Sequence, residues 1–136
     1  MKVFLGIDTS AYTTSIAAVD ENLSIVADER MVLKVEPGKR GLRQSEALFL
    51  HIKNLPQLME RLDPLIYSNI QALAVSTRPR NKANSYMPVF LAGTSLAQSL
   101  AAFAHLPVYQ VSHQEGHVMA GLQGSWELLD KTRFLA

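Results

Sequence analysis

The chain has 136 residues, of which 48% are hydrophobic and 18% charged, and its formal net charge is +1. These values predict one globular domain with its own core and exclude a disordered chain. Cysteine is absent, which excludes disulfides and thiolate metal sites and favours a reducing compartment, the cytoplasm. No run of about 18 apolar residues occurs, so we expect no membrane-spanning helix and no membrane partner.

Two short apolar runs, residues 3–7 and 16–19, open the chain and are separated by polar turn formers. A third segment, 23–33, carries β-branched residues with partial alternation. Short strands joined by tight polar turns are typical of an antiparallel meander. Proline, glycine and basic residues then predict a loop over residues 36–43.

Helical spacing follows this loop. Apolar residues recur every three or four positions from residue 48 to residue 62. We predict Ser45 as the N-cap of this helix, a kink or restart at Pro56, and an end at Asp63-Pro64.

The remaining elements alternate between strand and helix. Residues 70–76 and 108–111 are predicted strands, and an Ala- and Leu-rich helix over 89–105 joins them into a right-handed parallel unit. A last helix is predicted over 113–122. The order βββαβαβα predicts an α/β fold with a mixed sheet and helices on its faces, as in ribonuclease H-like and actin-like lobes. A flavodoxin-like sheet is the main alternative, but it would not open with a meander.

The first candidate for chemistry is the segment His113-Gln114-Glu115-Gly116-His117. Residues i and i+4 share one face of a helix, so both imidazoles could reach one metal ion such as zinc, iron or nickel. Glu115 does not follow the first histidine directly, as the water-activating glutamate of metalloproteases does. The alternative is two surface or capping histidines near a helix start. Two histidines need a further ligand from elsewhere to complete a metal site.

The second candidate is Asp8-Thr9-Ser10, which ends the first strand and opens a turn rich in hydroxyl groups. Hydroxyls and backbone N–H groups in a tight turn can hold a phosphate, and an aspartate there can bind hydrated magnesium. The alternative is an ordinary hairpin turn. If strands 70–76 and 108–111 are parallel neighbours, the loop over 77–87 and His113 share one sheet edge. Ligands of open α/β sheets bind at that edge.

Two basic segments, 39–43 and 78–82, could contact nucleic-acid phosphates. No aromatic residues are interleaved with them to stack on bases, which favours solvated loops.

Four segments also match a known family. Gly6-Ile7-Asp8-Thr9-Ser10 is similar to the family's Gly-Ile-Glu-Thr-Ser, and the helix from His51 to Pro56 to its His-x-x-Asn-Leu-Pro. Residues 91–97 resemble its Val-Gly-Leu-Ser-Phe-Ala stretch. Residues 106–117 closely resemble its Ile-Pro…Val-Asn-His-x-Glu-Gly-His. On these motifs the chain resembles the glycoprotease-like family, which includes the tRNA threonylcarbamoyladenosine transferase subunits formerly called O-sialoglycoprotein endopeptidases.

The resemblance implies an actin-like N-terminal lobe over residues 1–132, with 133–136 as the start of a second lobe. It implies His113 and His117 as ligands of one divalent metal ion, iron or zinc, with Asp8-Thr9-Ser10 near the cleft. It further implies an adenine nucleotide or threonylcarbamoyl-adenylate between the two lobes. The expected function is transfer of threonylcarbamoyl from an adenylate to N6 of adenosine in tRNA, with the isolated lobe inactive.

The resemblance also implies partners. These are tRNA and either a second actin-like subunit or the chain's own second lobe, and a bare lobe face would favour a homodimer. Two other hypotheses stay open: a non-catalytic interaction module that partners a catalytic subunit, and a metallopeptidase, as in the old family name.

Two departures from the family pattern predict a diverged paralogue. Ser-Thr-Arg-Pro-Arg stands at residues 76–80 in place of the family's Thr-x-Gly-Pro-Gly. Without the glycines, a close approach of the backbone to a ligand is less favourable. Ala-Tyr-Thr-Thr stands at 11–14 in place of Cys-Asp-Glu-Thr, so two acidic side chains are missing.

Overall fold

The computed structural model describes residues 1–35, 37–38, 41–79 and 87–113. The elements in chain order are β1 (Val3–Asp8), β2 (Thr13–Asp20), β3 (Ile25–Val32), α1 (Gln44–Glu60), α2 (Pro64–Ser68), β4 (Ile70–Arg78), α3 (Phe90–Ala104) and β5 (Val108–Ser112). The predicted order of strands and long helices is confirmed up to His113. The rest of the predicted helix over 113–122 lies outside the described residues.

The five strands form one mixed sheet in the order β3-β2-β1-β4-β5. The first three strands pair antiparallel, as the meander predicts. β4 then pairs parallel with β1 on one side and with β5 on the other. The carboxyl ends of β1, β4 and β5 therefore lie at one edge of the sheet.

One face of the sheet carries the core. Alternate residues of β1 point to this face, and Val3, Leu5 and Ile7 are all buried there. α1 and α3 pack on this same face and contact each other. The opposite face is built mainly from small residues in the centre of the sheet, because Gly6 pairs with Ala17 of β2 and Ala74 of β4.

The boundaries of α1 differ from the prediction at both ends. Arg43, not Ser45, is the N-cap residue, and its backbone N–H donates to Glu46 Oε1. The helix passes through Pro56 without restarting, because buried Leu55 and Leu58 hold this stretch against the sheet. Asp63 caps the start of α2 by accepting from the Leu65 N–H, so Asp63-Pro64 begins a short helix and does not end a long one.

α3 lies close to β1 because the residues that face the sheet are small: Ala92, Gly93, Ala97 and Ala101. A Cβ atom added to Gly93 would lie 3.2 Å from Ile7 Cγ2 and 3.2 Å from Thr9 Oγ1. Both neighbours are buried, so neither can move away freely. No helix among the described ranges is long and apolar enough to cross a membrane.

We expect Gly93→Ala to destabilise the fold by about 1 kcal/mol. An alanine gains up to about 1 kcal/mol of helix propensity, but crowding a packed core costs about 1–3 kcal/mol. Urea unfolding measures the difference, with Gln98→Ala on the exposed side of α3 as the control. A Gly93→Ala protein more stable than wild type would contradict the close packing described here.

Candidate functional site

The shared carboxyl edge of β1, β4 and β5 brings the two predicted candidates together. Asp8 is the last residue of β1, and His113 follows the last residue of β5. β4 separates the two strands, so their ends lie only two strand spacings apart. The prediction that His113 lies at this edge is confirmed.

Asp8, Ser10 and His113 form a hydrogen-bonded cluster at this edge. Nδ1 of His113 lies 2.8 Å from Asp8 Oδ2 and 2.9 Å from Ser10 Oγ. The Ser10 backbone N–H donates to Asp8 Oδ1 over 2.7 Å, which closes the turn after β1. Asp8 and His113 side chains are each about one-third exposed, at 32% and 31%, so the cluster faces both protein and solvent.

The pKa of Asp8 is lowered from its ordinary value. Burial alone would raise this pKa, but hydrogen bonds from the Ser10 side chain and backbone and from His113 outweigh it, and the charge of His113 adds to them. Asp8 is therefore ionised at neutral pH and can only accept hydrogen bonds. It follows that Nδ1 of His113 carries a proton and donates a hydrogen bond to the carboxylate.

Thr9 links the turn after β1 to the start of α3 through hydrogen bonds of its hydroxyl group. It is fully buried, and its hydroxyl donates to the Val89 carbonyl and accepts from the Gly93 N–H. Of the predicted triplet Asp8-Thr9-Ser10, the structure thus places Asp8 and Ser10 beside His113 and uses the Thr9 hydroxyl inside the fold.

His51 is a residue of α1, and its hydrogen bonds link the turn after β1 to that helix. Its side chain is fully buried, with Nδ1 2.7 Å from Thr14 Oγ1 and Nε2 3.2 Å from the Ala11 carbonyl oxygen. Asn54 donates to Thr14 Oγ1 over 3.1 Å. This network was not predicted, although the signal was present: His51 and Asn54 stand at helical spacing with Leu55 and Leu58 on the buried face of α1.

A cavity of about 170 Å³ lies beside the cluster, on the sheet face opposite the helices. Its walls are mostly apolar, and Asp8, Ser15 and Ser76 contribute polar groups. Ser76 is buried, and within the described part of the chain its Oγ has no hydrogen-bond partner. A buried hydroxyl without a partner is costly, so a polar group in this cavity would gain a hydrogen bond.

The remaining predicted site residues, Glu115 and His117, lie outside the described residues. Across the residues that the structure does describe, no group of three or more His, Cys, Asp or Glu side chains could hold a metal ion. The described cluster thus supplies one imidazole and one carboxylate, and a complete site needs ligands from beyond it. Of the two basic segments, residues 39–40 and 80–82 also lie outside the described ranges.

No family model matches the chain. The tRNA N6-adenosine threonylcarbamoyltransferase of Campylobacter hominis is 31% identical over 120 residues, which are 87% of this chain and 34% of that protein. The protein of the same name from Trichlorobacter lovleyi is 30% identical over 125 residues, 88% of this chain and 34% of that protein.

Among solved structures, YeaZ from Pseudomonas aeruginosa superposes with a TM-score of 0.56 at 21% identity, over 82% of this chain and 43% of that one. This likeness concerns the fold. The mixed sheet, the helices on one face and the likeness to YeaZ define an actin-like lobe of the ribonuclease H-like class, so the flavodoxin-like alternative is wrong.

The family predicted from the motifs is confirmed by the curated relatives. The chain is a homologue of the tRNA N6-adenosine threonylcarbamoyltransferases, in the glycoprotease-like family. It spans about a third of the length of the relatives that it matches.

The buried His51 predicts a pH dependence of stability. Burial lowers its pKa below 6.5, although the bond to Ala11 and the charge of Asp8 oppose this shift. The unfolded chain takes up a proton near pH 6.5 and the folded chain does so only at lower pH. The contribution of His51 to the free energy of unfolding is therefore fully present above pH 6.5. It falls as the pH drops from 6.5 to the pKa of His51 in the folded chain, by at most about 1.4 kcal/mol per pH unit.

Urea unfolding of wild type and His51→Gln between pH 7.5 and 5 measures this contribution. The other histidines are present in both proteins, so their effect cancels in the difference between the two free energies of unfolding. An identical pH slope in both would show that His51 does not contribute it.

Proposed function

We propose that this chain is the metal-binding lobe of a tRNA threonylcarbamoyltransferase-like protein, and that the isolated lobe is inactive. The relatives' name supplies the reaction: transfer of threonylcarbamoyl to N6 of adenosine in tRNA. The observation that carries the proposal is the 2.8 Å contact between Asp8 and His113 at the carboxyl ends of the parallel strands. A carboxylate in contact with an imidazole is the usual second shell of a metal-ligating histidine.

In this proposal His113 and His117 hold one divalent cation, iron or zinc. Because Nδ1 of His113 donates to Asp8, Nε2 is the ring nitrogen that would ligate the metal. The residues fit this role in part, since imidazole suits both cations and Asp8 already orients the ring. A bound cation would act as a Lewis acid that polarises a carbonyl oxygen.

The protein groups around His113 have separate tasks. The Asp8 carboxylate holds the His113 ring in one tautomer and orientation. Ser10 is hydrogen-bonded to both of these side chains. An adenine nucleotide or threonylcarbamoyl-adenylate would bind at the same edge, where it would contact a second lobe or a second actin-like subunit. With about a third of the relatives' length, the chain offers one wall of such a cleft.

Metal binding tests the proposal directly. We expect the 136-residue chain to bind Zn²⁺ or, without oxygen, Fe²⁺ at one site by calorimetric titration. His113→Ala and His117→Ala should each weaken binding at least tenfold, since each removes one of few ligands. His105→Asn is the matched control, because it removes another histidine and asparagine tolerates the left-handed conformation of that residue. Equal metal uptake by wild type and the His113→Ala/His117→Ala double variant would refute the metal role.

We also expect Asp8→Asn to weaken metal binding about 10- to 100-fold while the protein stays folded, as is typical when a second-shell carboxylate is lost. Asparagine keeps the shape of the side chain but presents a neutral amide to Nδ1 of His113. The same titration measures the effect, with Asp20→Asn at the end of β2 as the control. Unchanged affinity in Asp8→Asn would separate the Asp8–His113 contact from metal binding.

A non-catalytic interaction module is the second candidate. Large apolar side chains are exposed on the long helices, with Phe49 and Ile52 of α1 at 64% and 55% and Phe103 of α3 at 89%. Such side chains favour a protein partner, either a second actin-like subunit or a second copy of this chain. Binding of such a partner without any metal uptake would favour this candidate over the first. The metallopeptidase hypothesis stays a prediction without support from the described residues.

A further inference from the structure

We propose that His51 is a positioning residue for the site, and that it acts by holding the carbonyl of Ala11. Through this carbonyl it fixes the turn over residues 9–12, which presents Ser10 to Asp8 and His113. The proposal rests on the proposed function only in taking the cluster of Asp8, Ser10 and His113 as the functional site.

The turn needs such a hold because its backbone is strained. Ala11 has a φ of 44°, in the left-handed region that residues other than glycine rarely adopt. This conformation costs about 1–2 kcal/mol for an alanine, so the free turn would favour other conformations. Ala11 directly follows Ser10, and any relaxation of its φ and ψ angles would move the Ser10 side chain relative to His113.

The protons of the His51 network have one consistent arrangement. The Ala11 carbonyl can only accept, so Nε2 of His51 carries the proton and donates to it. The ring is neutral, so Nδ1 accepts from the Thr14 hydroxyl, and Thr14 Oγ1 in turn accepts from Asn54. This buried chain leads from α1 through β2 to the strained residue, and each of its members is hydrogen-bonded.

The two helices thus hold the turn on both sides of Ser10. α3 holds Thr9 through the Val89 carbonyl and the Gly93 N–H. α1 holds Ala11 through His51. A Ser10 fixed at both neighbours keeps its hydroxyl 2.9 Å from Nδ1 of His113. Beyond Ala11 the Tyr12 carbonyl accepts from the Leu33 N–H over 2.7 Å. His51 thus holds the left-handed residue between the anchors at Thr9 and Tyr12.

Two conservative variants separate the two bonds of the imidazole. The amide nitrogen of glutamine can take the place of Nε2, so His51→Gln keeps a donor for the Ala11 carbonyl. The amide of asparagine can take the place of Nδ1, so His51→Asn keeps a partner for Thr14 but cannot reach Ala11. Both variants remove the same ring, so a packing defect alone would affect the two similarly.

The first measurement uses the wild-type chain without metal. Ring ¹⁵N shifts should show the Nε2–H tautomer of His51, with a hydrogen-bond coupling to the Ala11 carbonyl. A proton on Nδ1 instead of Nε2 would overturn the proposal, and this result does not depend on any variant folding or on any metal binding.

The second measurement compares the variants by the ³J(HN–Hα) coupling of Ala11 and by Zn²⁺ titration. We expect His51→Gln to keep the wild-type coupling and to bind Zn²⁺ within about twofold of wild type. We expect His51→Asn to lose the left-handed coupling and to bind Zn²⁺ about tenfold more weakly, as an outer-shell change does. Ala11→Gly in the His51→Asn background should restore part of the affinity, because glycine adopts the left-handed conformation without strain.

The proposal is overturned if both His51 variants lose the same amount of Zn²⁺ affinity, or if Ala11→Gly restores none of it. His51 would then contribute only to packing. If wild type binds no metal, the proposed function fails while the Ala11 coupling still decides the role of His51. If wild type binds Zn²⁺ and the Ala11 coupling is the same in all variants, the positioning role alone fails.

Discussion

The parallel pairing of β4 with both β1 and β5 is the constraint on which the site depends. Asp8 and His113 are 105 positions apart in the chain, yet they form a 2.8 Å contact. Parallel strands place their carboxyl ends at one edge, and the crossover through α3 is what makes β4 and β5 parallel. An antiparallel β5 would carry His113 to the far edge of the sheet, away from Asp8.

The turn after β1 joins the stability of the fold to the geometry of the site. The buried polar groups in and around this turn, Thr9, Thr14 and His51, are all hydrogen-bonded, so their desolvation is compensated within the core. The bond from His51 to the Ala11 carbonyl contacts the left-handed residue itself. Next to the site, the core of this lobe thus contains hydrogen-bonded polar side chains. Beneath the rest of the sheet, where Leu5, Leu58 and Leu73 meet, the core is apolar. The end of β1, the hydrogen-bonded turn after it and the end of β5 together set the position of the Asp8–Ser10–His113 cluster.

A carboxylate, a hydroxyl and an imidazole meet in the Asp8–Ser10–His113 cluster. Beside it lies a small cavity where the Ser76 hydroxyl has no hydrogen-bond partner among the described residues. The homologues are about three times longer than the matched region. Under the proposed function, this edge would contribute ligands and orientation, and a facing surface would exclude water.

Much of the fold could be predicted from local patterns. Strand alternation, helical spacing and turn residues indicated the mixed sheet and both long helices, because these signals depend on near neighbours in the chain. Helix ends were less predictable: Ser45 is a good capping residue by type, but the cap is Arg43, two residues earlier, and the helix begins at Gln44. Asp63-Pro64 starts α2 because proline suits a first helical turn as well as a chain break.

The sequence alone therefore determined the class of fold, the family, and the types of residue available for chemistry. Only the tertiary structure decided which of them meet. It joined Asp8 and Ser10 to His113, moved the Thr9 hydroxyl into the core and placed His51 under Ala11. The physical reason is that a hydrogen bond requires atoms about 3 Å apart, and such distances between residues far apart in the chain are set by sheet register and helix packing, which no local pattern contains.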